Sequence, residues 1–475
     1  MARRGRAGRV GAAVGLVLAL AGGGYVAADA YDVVPGLVTL DPVPPPPPAF
    51  PTVAAAVEPP PVEPLLPASD PADPVPDPAQ VLALAQALAA DARMGTSTGI
   101  VVADVLTGEV LAEVDGATPR VPASTAKVLA DLAAITALGP DRTFATTVVQ
   151  PEPGRLVLVG GGDMMLSAGA GDPEAVNGRA GLVDLAASTL RQLRLAGVAQ
   201  VTLGFDDSLF SGPGLNPGWK PSDVAAGYVA SVAPLAVDIA RTRDEPYPPR
   251  FADPAAHAAQ TFAALLTAQG VTVTAPPART GVEPGALELA RVESAPVRDI
   301  VRFAVQTSDN TITEVLGRMV AVERGLPGSF QGATSAVLAE VAAQGIDTTG
   351  AVLADCSGLA DGSALPARLL ADLLVLATDP AHVELLPVVL DLPISGWQGT
   401  LADRFRDGPA RGLVRAKTGS LPGVTSLAGT VLTQDGRQLV FSVLASATPP
   451  GGQPGPRAAI DGFVQQLAAC GCQPP

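Results

Sequence analysis

The chain has 475 residues, 48% of them hydrophobic and only 16% charged, enough for a large core and more than one domain. A net charge of −16 opposes binding to polyphosphate backbones, which excludes nucleic acid as a partner. The two histidines, His257 and His382, exclude a multi-histidine metal centre and are all that a Ser-His-Asp triad could draw on; no metal or other cofactor is expected.

In chain order, Arg3, Arg4, Arg6 and Arg9 form a basic start, and residues 10–28 are an uncharged run rich in Ala, Val, Leu and Gly. Ala28-Asp29-Ala30 has the small-x-small form of a cleavage site, so residues 1–30 read as an export signal. The run is also just long enough to stay as a membrane anchor, and both forms remain open. Residues 31–76 are Pro-rich, with Pro44 to Pro48 in a row, and read as an extended, disordered linker.

The folded part opens at Asp77-Pro78, an N-cap followed by proline, and Val81, Leu84, Leu88 and Ala92 recur at helical spacing to about residue 93. Two β-like runs, 99–105 and 109–114, flank Leu106-Thr107-Gly108 as a hairpin. An apolar helix over 124–138 follows. Strands are then predicted at 144–149, 155–159, 198–205, 271–274 and 287–292, with helices at 182–195 and 255–269. Long helices return from Ala295. β-rich runs at 413–416, 426–432 and 438–444 precede a last amphipathic helix over 457–469. A helix and hairpin first, three strands and a helix last, predict one domain closed by both ends of the chain, 77–141 and 294–475. Residues 142–293 then form an inserted mixed α/β domain.

Three cysteines, Cys356, Cys470 and Cys472, would meet an oxidising compartment after export. The single residue between Cys470 and Cys472 is an awkward spacing for a mutual bridge, so one of the two is expected to pair with Cys356.

Lysine is scarce: Lys127, Lys220 and Lys417 are the only three among 30 basic residues. Lys127 follows Ser124 by three, which puts both on one helix face about a turn apart. A serine hydroxyl is a weak nucleophile unless a base removes its proton. Lysine can be that base once burial and a neighbouring cation lower its pKa, whereas arginine stays protonated. An N-capping serine beside a snorkelling lysine is the ordinary alternative. Two further boxes tip the balance. Ser308-Asp309-Asn310 opens another apolar helix and offers a hydroxyl for proton relay and an amide to grip a carbonyl. Lys417-Thr418-Gly419-Ser420 ends a β-run. It offers a cation and a hydroxyl for a carboxylate, and a glycine that lets substrate lie along the strand edge.

Ser-x-x-Lys, Ser-x-Asn and Lys-Thr-Gly in this order are the signature of the active-site serine penicillin-recognising enzymes. The stretches LVGGGDMML (158–166), GWKPSD (218–223), DCSGL (355–359), GTLADRF (399–405) and AKTGSLPGVTSLAGTV further resemble one group of them. These are the class C low-molecular-mass penicillin-binding proteins, the D-alanyl-D-alanine carboxypeptidase/endopeptidases. The resemblance implies an α/β (α+β) fold of the β-lactamase/transpeptidase type, with an antiparallel sheet of about five strands flanked by helices. It implies that Ser124 attacks the carbonyl of the penultimate D-Ala in peptidoglycan stem peptides, with Lys127 as base. Ser308 and Lys417 would carry protons to the leaving group and from the deacylating water. Asn310 would orient the substrate amide, and Thr418 with Lys417 would bind the carboxylate. The backbone N–H groups of Ser124 and Ser420, beside Gly419, would form the oxyanion hole. β-Lactam antibiotics would acylate the same Ser124.

Against the family pattern, the gap between Ser124 and Ser308 is short. YVASVAPLAVDIA passes almost directly to PPRFADPAAHAAQTFAALL, where relatives carry another small β-rich domain, so two folded domains are expected rather than three. Ser420 stands for a common Thr, Cys356 for a usual Gly and Ala360 for a usual Ser. Two other readings share some of these features. A β-lactamase-type hydrolase would need fast deacylation through a Glu-activated water, and no ExxLN-type segment occurs between Asn310 and Lys417. A non-catalytic cell-wall scaffold would have no use for complete boxes.

Overall fold

The computed structural model describes residues 4–31, 33–34, 70–283 and 285–470, and the chain forms two units, Met1–Leu66 and Pro67–Pro475. In the first, Arg4–Ala30 is a helix over the segment expected as signal or anchor. Among the described residues no helix is long and apolar enough to cross a membrane. The linker expected over 31–76 lies largely outside the described residues.

Five antiparallel strands form the main sheet of the second unit. In spatial order they are Val414–Leu421, Val424–Leu432, Gln438–Ser446, Ser97–Asp104 and Val110–Val114. The early hairpin therefore pairs with the last strand, from Ser97 opposite Ser446 to Asp104 opposite Leu439. Side chains alternate between the faces of a strand, so each face needs a cover. Ile100, Val102, Leu427, Phe441 and Val443 share a core with helices Pro78–Ala89 and Pro454–Ala469, which contribute Val81, Ala85, Leu88, Ile460, Phe463 and Val464. Val101, Ala428, Val440 and Leu444 belong to a second core with helices Lys127–Leu138 and Ala367–Thr378. With both faces dry, these strands read as unbroken apolar runs rather than as an alternation. Asp77 caps the first helix through the Ala79 amide (2.9 Å), but that helix stops at Ala89. Asp91 caps a separate turn, Ala92–Met94, so the periodicity running to 93 belongs to two elements.

Between the two halves lies a mixed sheet, ordered Leu287–Glu293, Ala145–Glu152, Arg155–Gly160, Gln200–Asp206 and Thr272–Val273, with Ala278–Arg279 also on Gln200–Asp206. Its first pairings are antiparallel and the rest parallel. Helices Leu182–Leu195 and Pro254–Ala268 pack Leu185, Leu190, Phe262 and Leu266 with Leu156, Leu158, Leu203 and Phe205 in a third core.

Cys356 is a free buried thiol whereas Cys470 is disulfide-bonded, so the bridge expected from Cys356 does not form. The reason is packing: a Cβ on Gly317 would lie 2.4 Å from the Cys356 sulfur, so the thiol fills the notch that this glycine leaves in helix Asn310–Glu323. Cys472 lies outside the described residues.

One buried ion pair ties the hairpin to the last strand. The Arg437 side chain is 2% exposed and that of Asp104 0%, with Arg437 Nε 2.9 Å from Asp104 Oδ1. The same carboxylate accepts from the Leu106 amide and the Thr107 hydroxyl in the hairpin turn. Removing one partner leaves a buried charge uncompensated. Arg437→Met is therefore expected to cost about 3–5 kcal/mol, read by calorimetric melting.

Candidate active site

The turn that presents Ser124 contains a left-handed residue. Ala123 has φ +50°, residues Ala123–Ala126 form a short 3₁₀ turn, and the α-helix starts at Lys127 rather than at Ser124. Ser124 is half-buried, while Lys127 is wholly buried at the helix start. Two glycines press on this turn. A Cβ on Gly358 (φ +75°) would lie 1.9 Å from the Ala123 carbonyl oxygen. A Cβ on Gly419 would lie 2.7 Å from the Pro122 carbonyl oxygen and 2.0 Å from the Ser426 hydroxyl. Gly419 thus lets its strand close onto the Ser124 turn, a demand separate from making room for a substrate.

Lys127 Nζ has three partners: Ser124 Oγ at 3.0 Å, Asn310 Oδ1 at 2.7 Å and the Ser357 carbonyl at 2.8 Å. Asn310 Nδ2 donates to the Tyr228 carbonyl (2.9 Å), which sets the orientation of its amide. Two of the three partners can therefore only accept. A neutral amine carries two hydrogens and one lone pair. In that state its lone pair faces the one partner able to donate, the Ser124 hydroxyl. Burial pushes the Lys127 pKa down to about 8, against the pull of Asp355, Glu314, Asp309 and Asp131 toward the charged form. The sequence pointed to burial and a neighbouring cation; desolvation is the cause that dominates here.

Ser308 ends helix Val297–Thr307 in the left-handed conformation (φ +55°), and Asp309 caps helix Asn310–Glu323 through the Ile312 amide (3.0 Å). One kink thus turns Ser308 to one lysine and Asn310 to the other. Lys417 Nζ donates to Ser308 Oγ at 2.8 Å and to the Thr418 carbonyl at 2.9 Å. Its complete burial, helped by repulsion from Lys127, takes its pKa well below the usual lysine value. Lys220, by contrast, is an exposed partner of Asp361 (3.2 Å). His257 stacks on Phe251 and His382 faces Glu384, so lysines rather than imidazoles serve the two serines.

Lys417, Thr418, Gly419 and Ser420 lie inside strand Val414–Leu421, which is longer than the predicted run and sits at the sheet's edge. Its outward backbone groups at 414 and 416 are occupied: Ser395 N donates to Val414 O, and Ala416 N to Pro393 O, both at 3.0 Å. By the two-residue alternation of a strand, the next outward groups are those of Thr418 and Ser420. Thr418 Oγ1 is hydrogen-bonded to Thr400 Oγ1 (2.9 Å), and Ser420 Oγ accepts from Arg457 (2.8 Å).

The 355–359 loop received no role from the sequence, yet it holds Lys127. Buried Asp355 accepts from Gly358 N (2.7 Å), Ala360 N (2.9 Å), Ser357 Oγ (2.9 Å) and Trp219 Nε1 (2.7 Å). That shape delivers the Ser357 carbonyl to Lys127. Ala360 and Cys356 contribute only backbone N–H groups, so these two departures from the family pattern leave the loop's bonds intact. The available signal was the pair GWKPSD and DCSGL, whose Trp219 and Asp355 meet here.

The five-stranded sheet and the paired Ser–Lys contacts place the chain among the penicillin-binding enzymes with an active-site serine. A profile described as the D-Ala-D-Ala carboxypeptidase 3 (S13) family matches residues 80–250 and 242–467, and the chain belongs to that family. It is a class C low-molecular-mass penicillin-binding protein and a serine-type D-Ala-D-Ala carboxypeptidase. It is 38% identical over 398 residues to carboxypeptidase DacB of Mycolicibacterium smegmatis, covering 82% of this chain and 84% of that one. A carboxypeptidase of Mycobacterium tuberculosis is 37% identical over 441 residues, 90% of each chain. The fold is similar to that of penicillin binding protein 4 from Haemophilus influenzae, with a TM-score of 0.67 and 23% identity, over 80% of this chain and 98% of that one.

Gly358→Ala puts a Cβ against the Ala123 carbonyl at a φ that disfavours it. We expect a stability loss above ~1 kcal/mol, with slower D-Ala release per folded molecule, checked by melting and a D-Ala assay.

Proposed function

We propose that this carboxypeptidase is exported and trims peptidoglycan stem peptides through an acyl-enzyme on Ser124, and that penicillins acylate the same oxygen. The observation that carries the proposal is the buried Lys127 amine, 3.0 Å from Ser124 Oγ with acceptors filling its other two directions. Lys127 takes the Ser124 proton as Oγ bonds to the carbonyl carbon of the penultimate D-Ala. The developing oxyanion faces the N–H groups of Ser124 and Ser420, the second of which points out from the strand edge. When the C–N bond breaks, Ser308, hydrogen-bonded to Lys417, passes a proton to the departing amine of the terminal D-Ala. Water then attacks the ester, Ser308 and Lys417 take up its proton, and as the ester C–O bond breaks Lys127 returns the proton it held to Ser124 Oγ. Thr418 and Lys417 receive the terminal carboxylate. Asn310 meets the substrate amide with the N–H it does not give to Tyr228.

Export is supported by the basic and then apolar start of the chain, as a cleaved signal or a retained anchor. The separate sheet and core of residues 142–293 support reading them as an inserted domain beside the peptidase domain of 77–141 and 294–475.

Incubation with a labelled penicillin is expected to add one adduct by intact mass to the wild type and none to Ser124→Ala. An adduct that survives this substitution would end the reading. Lysine turns neutral as pH rises through its pKa, and only the neutral form is a base. The kcat/KM for D-Ala release from a pentapeptide should therefore climb about tenfold per pH unit and bend near pH 8. A bend near the ordinary lysine value of 10.5 would contradict the role of burial.

A further inference from the structure

We propose that Glu314 is a positioning residue for Lys127, acting through the backbone of Ser357 and through its own charge. Glu314 follows Asn310 by four on helix Asn310–Glu323, so it occupies the same face one turn further along. It is wholly buried. Its Oε1 accepts from the Ser357 N–H at 2.8 Å and its Oε2 from the Cys356 N–H at 3.2 Å. Ser357 turns its other backbone group, the carbonyl, to Lys127 Nζ at 2.8 Å. Residue 357 is thus gripped on one side by a carboxylate and on the other by the base. The helix reaches Lys127 twice, directly through Asn310 Oδ1 (2.7 Å) and indirectly through Glu314.

A carboxylate is a costly group to place here, because nothing in a dry core solvates it. An uncharged acceptor could hold one of the two amides, but only a carboxylate holds both and adds a negative charge. The charged and titratable groups around it are few. Asp355 and the Cys356 thiol come from the loop, Lys127 from its own helix, and Arg318 lies one turn on. Arg318 spends its guanidinium on the carbonyls of Ser211, Gly328 and Pro213. Burial and Asp355 push the Glu314 pKa up to about 8, against the pull of the two amides, into the range to which burial lowers Lys127. Anionic Glu314 favours protonated Lys127, so removing its charge lowers the Lys127 pKa further.

This inference rests on Lys127 being the base for Ser124. The test is the second-order rate of acylation by a labelled penicillin, followed across neutral and alkaline pH on the full chain. Glu314→Gln keeps the size but loses the charge and one acceptor. The bend in its profile should move to lower pH by about one unit, and its plateau rate should fall ~10-fold. Glu314→Asp keeps the charge on an arm too short for both amides, so its bend should stay while its plateau falls. A Glu314→Gln protein with the wild-type bend and plateau overturns the proposal, as does an equal fall in both variants with neither bend moved. If Glu314→Gln does not melt as a folded protein, Glu314→Asp decides, and a wild-type plateau there overturns it. A wild type that penicillin does not acylate counts against the Ser124 mechanism. Acylation of the wild type with unmoved variants counts against Glu314 alone.

Discussion

An amine sealed from water must find every polar partner inside the protein, and at Lys127 those partners come from three distant segments. The turn just before the lysine gives Ser124, the Asn310–Glu323 helix gives its first side chain, and the 355–359 loop gives a carbonyl. Satisfying one nitrogen therefore locks three pieces of chain at a single point. The close contacts around it follow from that demand. Gly358 and Gly419 are bare because the loop and the edge strand must come within backbone contact of residues 122–123. The left-handed Ala123 and Ser308 are the local strain that such convergence requires, one beside Ser124 and the other facing Lys417.

Lys417 extends the same logic from the sheet. It too is wholly buried, and each lysine faces a serine hydroxyl of a different element. Keeping two amines in one dry region disfavours two positive charges there, so loss of a proton from the pair is eased without any histidine. The edge strand then adds recognition to chemistry. The loop at 393–395 occupies its backbone groups as far as 416 and leaves those at 418 and 420 facing outward.

Much of this was legible in the sequence, and what escaped has a physical reason. The Ser124–Lys127 contact, the helix opening at Ser308-Asp309-Asn310 and the apolar strands depend on local periodicity and appear close to where the pattern put them, although the first helix begins at Lys127 rather than Ser124. Helix Leu182–Leu195 has the predicted bounds because its apolar face repeats cleanly on one stripe. The strand around Lys417 ran longer than predicted because polar residues on an open edge break the apolar pattern without breaking the strand. The Ser357 carbonyl was invisible because every residue has one. Glu314 was unremarkable until the loop that it holds folded over it. The expected Cys356 bridge failed because spacing carries no information on which thiol a glycine notch will bury.

Strands Ser97–Asp104 and Gln438–Ser446 lie side by side, although nearly the whole folded chain separates them in sequence. Closing so long a loop costs entropy before any contact rewards it, so this pairing slows folding relative to a local one. Gly419 and Ser426, which brace the Ser124 turn, sit on the neighbouring strands, also from the end of the chain. On the ribosome Ser124 is synthesised well before residues 414–446, which carry the contacts that brace its turn. A chain released before them would carry Ser124 on a turn that lacks the contacts of Gly419 and Ser426.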